Sequence, residues 1–141
     1  MLRTLFTILF LSFFITVYAQ PSEKVELKIG DSLVFKKCTG DGIYNAMDLI
    51  TKTRFPNLGK TSYNKETGEG FYTYFFLDGD MDGQRLPCNY ENKKCKIVSS
   101  QTLKDKSGKE RLVVFGELKE GMQVVWIEIE MAFENGEISL Q

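Results

Sequence analysis

From residue 96 to residue 133 the chain runs in short alternating segments separated by tight turns, and this pattern restricts the fold most. Lys96-Ile-Val-Ser-Ser-Gln-Thr-Leu103 is strand-like, and Lys104-Asp-Lys-Ser-Gly-Lys109 turns, with Gly108 as its positive-φ residue. Residues 110–118 form the next strand, Lys119-Glu-Gly121 turns again, and residues 122–130 alternate most clearly. Three such segments joined by short turns predict an antiparallel meander. In the last one Val125, Ile127, Ile129, Met131 and Phe133 share a core face, with Trp126, Glu128 and Glu130 on the other. A helical turn over 131–135, stopped by Gly136, closes the chain. Phe75, Val113, Phe115, Val125, Ile127 and Ile129 are the expected core.

Upstream, residues 25–29 alternate, Gly30-Asp31 turns, and residues 32–37 continue as strand. Thr39-Gly-Asp-Gly42 is a glycine-rich turn. Residues 43–54 carry two periods at once. Ile43, Ala46, Met47 and Ile50 make a helical stripe, whereas Met47, Leu49, Thr51, Thr53 and Phe55 alternate. Strand is preferred from about Asp48, with room for a helical turn before it and a stop at Pro56. Residues 56–70 are a long polar loop. The run Phe71-Tyr-Thr-Tyr-Phe-Phe-Leu77 reads as a strand covered on both faces. Its aromatic rings are able to stack sugars or bases, but core is the preferred reading. The resulting fold class is mainly β: one small antiparallel barrel or sandwich, with room for one short helix.

Residues 1–19 have the layout of a secretory signal peptide: Arg3, an apolar stretch over 5–17, and Val17-Tyr-Ala19 as a small-x-small cleavage site. Residues 20–141 are then a single exported domain, periplasmic or secreted, with no membrane anchor. Removing Arg3 leaves 17 basic residues against 19 acidic ones, a net charge of 17 − 19 = −2, which argues against a nucleic-acid partner. The chain has no His, which excludes Ser-His-Asp and Cys-His catalysis and every His-ligated metal.

Three cysteines leave one unpaired. Cys88 and Cys95 flank a short polar segment and are the expected disulfide, with Cys38 as a buried free thiol. The competing arrangement joins Cys38 to one of the other two.

One motif carries metal chemistry. Asp78, Asp80 and Asp82 alternate ahead of Gly83, and the stretch resembles the isolated D-x-D-x-D-G calcium loops of secreted proteins. Gln84 could add its carbonyl and Asn89 its side chain, giving a weak calcium site without a bidentate Glu. The preferred reading is a plain turn, since Asp-Gly occurs twice here and favours turns. A second candidate is the face of Trp126, Glu128 and Glu130, an aromatic platform flanked by two carboxylates. Two function classes follow. One is a non-catalytic binding or structural module for a protein or glycan partner. The other is a small carboxylate-dependent hydrolase of glycans.

Overall fold

The computed structural model describes residues 26–56 and 59–141. The proposed signal peptide lies outside them. The architecture is mainly antiparallel β, a seven-stranded sheet curled into a half-barrel with two short helices. The strands are β1 (Ser32–Phe35), β2 (Ile43–Lys52), β3 (Met81–Pro87), β4 (Lys94–Lys104), β5 (Glu110–Lys119), β6 (Gln123–Glu128) and β7 (Ile138–Leu140). The helices are α1 (Phe71–Phe76) and α2 (Ile129–Glu134), and the sheet order is β3-β2-β6-β5-β4-β1-β7.

The meander forms as its alternation implies. β5 pairs with β4 and β6 on its two sides. The β4–β5 turn is held by Asp105, whose carboxylate accepts hydrogen bonds from the Ser107 hydroxyl and from the Ser107 and Lys109 amides. Gly108 sits at φ 83° and Gly121, in the next turn, at φ 66°. Gly116 is needed for a different reason. A Cβ there would lie 2.3 Å from Cys95 Sγ, so the strand accepts no side chain at this point.

Both faces of the sheet are covered. Val125 and Ile127 of β6 join Val114, Ile97, Leu33, Phe35 and Leu86 in one cluster beneath α2. Val124 and Trp126 point the other way, with Val113, Phe115 and Val98, against α1. All six expected core residues are buried. Leu86 of β3 and Ile138 of β7 belong to the same cluster although their strands are the two edges of the sheet, which records how far it curls.

Three local expectations are corrected. Residues 71–77 are not a strand; 71–76 form α1. A run whose one small polar residue is Thr73 carries no period, so β propensity is the local signal. Helical spacing lets Phe71 and Phe75 face the sheet together, both 0% exposed, and this burial prevails. Residues 43–52 are a single strand, without the helical turn, because Met47 to Thr51 pair with β6. The last strand stops at Glu128, and the chain turns into α2 two residues before the expected helical turn, leaving Met131 exposed.

Candidate functional site

The disulfide joins Cys38 and Cys88, with Cα atoms 5.5 Å apart, and Cys95 is the buried free thiol. This overturns the Cys88–Cys95 pairing. Residues between those two close locally through a 3-10 turn, Cys88–Tyr90, while Cys95 enters β4 opposite Leu33 and points into the core. The curl of the sheet carries the chain just after β1 to the end of β3, which spacing in sequence does not reveal. Burial pushes the Cys95 thiol up to about 12, leaving it an inert apolar group.

Next to this bond lies a residue that sequence reasoning missed. The Glu137 side chain is 0% exposed. It accepts hydrogen bonds from the Thr39 amide and hydroxyl and from the Asn45 and Ala46 amides, at 2.6–3.2 Å. The need for it comes from β2. Pairing with β3 jumps from Ile43↔Pro87 to Asp48↔Arg85, so β2 bulges away from its neighbour. The carboxylate takes the Asn45 and Ala46 amides, and Arg85 donates to the Asn45 carbonyl at 3.0 Å. The only local cue is an acidic residue after a helix-stopping Gly136, which reads as surface.

The acidic loop does not gather its carboxylates. Asp78 lies 3.9 Å from the Lys52 ammonium, Asp80 lies 3.1 Å from Arg54, and Asp82 is already in β3 opposite Thr51. Gln84, also in β3, pairs with Leu49 of β2, and Asn89 sits in the 3-10 turn beyond the strand. Among the described residues no group of three or more acidic or cysteine side chains could hold a metal ion. Gly79 makes the turn, at φ 91°, with a Cβ position 2.0 Å from the Arg54 carbonyl. Asp82-Gly83 is strand, so the second Asp-Gly is no turn.

Lys52 is the second residue missed. It is 5% exposed, donates to the Tyr74 carbonyl at 3.1 Å, and lies over the rings of Phe55, Tyr74 and Phe75 at 5.2–6.0 Å. Burial holds its ammonium below the usual lysine range, and Asp78 pulls it partly back. The charge satisfies a carbonyl at the end of α1, a helix with no basic residue in its own last turn. That accounts for the lysine structurally.

Trp126, Glu128 and Glu130 do not form one platform. Trp126 is half-buried, edge-on to Phe76 at 5.8 Å and to Phe115 at 5.3 Å. Glu128 pairs with Arg111 at 2.9 Å, and Glu130 leaves the sheet on α2. Both glutamates line a shallow groove of about 140 Å³ with Lys109, Leu112 and Met131. A larger cleft, about 250 Å³, opens between β4 and the start of α1. It is walled by Ser99, Ser100 and Gln101 on one side and by Glu69, Tyr72 and Thr73 on the other. No protein-family model, curated protein or solved structure matches this chain.

Proposed function

We infer that this chain is an exported, non-catalytic binding module. The observation that carries the reading is the filling of both faces of the sheet by side chains, with open clefts of about 140 and 250 Å³ at its margins. Enzymes that hydrolyse glycans need two carboxylates flanking the bond from opposite sides. Here Glu128 is engaged by Arg111, and Glu130 stands on a different element. Export is supported by the Cys38–Cys88 disulfide, a bond at home in oxidising compartments.

Incubation of the oxidised protein with fluorogenic aryl glycosides tests this. The expected result is no turnover above buffer. Turnover abolished by Glu128→Gln would restore the hydrolase. In fractionated cells the mature protein should lie outside the cytoplasm with Gln20 at its amino terminus.

A further inference from the structure

Gln101, on β4, keeps its side-chain carbonyl oxygen sealed from solvent, and that oxygen accepts no hydrogen bond. Buried acceptors without a donor are exceptions in folded proteins, and each calls for a cause. The same residue lines the cleft between β4 and α1, which places its side-chain amide beside any occupant. Building on the binding-module reading, we propose that this cleft takes one ring of a neutral polyhydroxylated ligand, a sugar residue of a glycan.

The lining selects that class. It contains one carboxylate, Glu69, and neither Lys nor Arg, so phosphate, sulfate and other anions are disfavoured. The Thr73 hydroxyl both donates and accepts, which matches a ligand whose hydroxyls do the same. Tyr72 supplies an aromatic flank. It is 39% exposed and stacks on Phe76, with centroids 5.0 Å apart and planes 26° apart, so its ring is positioned before any ligand arrives. The walls are fastened to each other by the Ser99 hydroxyl, which donates to the Gly68 carbonyl at 3.0 Å. At about 250 Å³ the cleft falls below the roughly 300–1,000 Å³ typical of drug-sized ligands, which suits a single ring and not an extended chain.

The test is an amide chemical-shift titration of the oxidised protein with glucose, galactose, xylose and N-acetylglucosamine, each to tens of millimolar. The expected result is saturable shifts confined to residues 68–73 and 99–101 with at least one sugar. Tyr72→Ala should weaken that binding by about tenfold or more, as should Gln101→Ala, each with an otherwise native spectrum. Gln101→Glu, which keeps the shape and fixes two acceptors, controls for loss of packing and should retain binding better than Gln101→Ala. The proposal is overturned if no sugar moves those amides, if the shifts map elsewhere, or if both alanine variants bind as the wild type does. Sugar binding mapped to another surface would remove this inference and leave the module reading standing. Hydrolysis of aryl glycosides would remove the module reading itself.

Discussion

Around Ile127 the sheet is closed by groups that reach across it: the Cys38–Cys88 bond, the Glu137 carboxylate on β2, and the cluster shared by β1, β3 and β7. One residue earlier, around Trp126, the opposite face is closed by six residues of α1 lying on it, through Phe71 and Phe75 and the ammonium of Lys52. The first closure joins segments far apart in sequence and cannot loosen without breaking covalent or charge-assisted bonds. The second also reaches across the sequence, from Phe71 to Phe115 and from Phe76 to Trp126, but it is held by aromatic packing of one short helix. A binding cleft belongs beside the second, where small movements of α1 leave the sheet intact.

The largest effect should come from the first closure. Glu137→Ala strands the Asn45, Ala46 and Thr39 amides and is expected to cost about 3–5 kcal/mol in denaturant unfolding, because hydrogen bonds to a buried charge are lost together. A loss under about 1 kcal/mol would mean that the bulge finds other partners. Cys88→Ser opens a loop spanning 50 residues, worth about 4 kcal/mol in the chain-entropy model and about 2–4 in practice. Peptide mapping without reductant should recover the Cys38–Cys88 link, and Cys95→Ser should leave it unchanged.

A smaller effect tests packing within the stapled face. Gly116→Ala drives a methyl into Cys95 Sγ and should cost about 1–3 kcal/mol. Adding Cys95→Ala should restore part of that loss in a double-mutant cycle, and strictly additive losses would place the clash elsewhere.

The smallest effect is a pH dependence. The Cys95 thiol rises from 9.0 to about 12 on burial, so the unfolded chain releases this proton first. Stability from this group is therefore complete below pH 9 and is lost as pH climbs from 9 toward 12. By pH 10 the loss should reach about 1.4 kcal/mol. It should be absent from Cys95→Ala, and an identical alkaline slope in both proteins would assign it to other groups.

The parts of this division that were readable in the sequence are those set by period. Val125 and Ile127 alternate with Trp126, and both parities turned out to be covered, so the β4–β6 meander and its core followed directly. Phe71 to Phe76 lacked a polar residue at any telling spacing, which hid a helix behind β-favouring side chains. Cys38, Glu137 and Lys52 act on partners 22 to 98 residues away, and no local pattern marks such distances. Of the candidate sites, the turn at Asp78 is marked by its Asp-Gly pair, but nothing marks the cleft at Tyr72 and Gln101, since it exists only once α1 folds over β4.

Native-state hydrogen exchange resolved by residue tests the unequal closure most directly. Amides of β2, β5 and β6 around Leu49, Val114 and Ile127 should exchange only through global unfolding, with a denaturant dependence equal to the equilibrium one. The Tyr74 amide, bonded to the Gly70 carbonyl, should exchange through a smaller opening at lower free energy. Equal protection of Tyr74 and the sheet amides would contradict the account and make both faces a single cooperative unit.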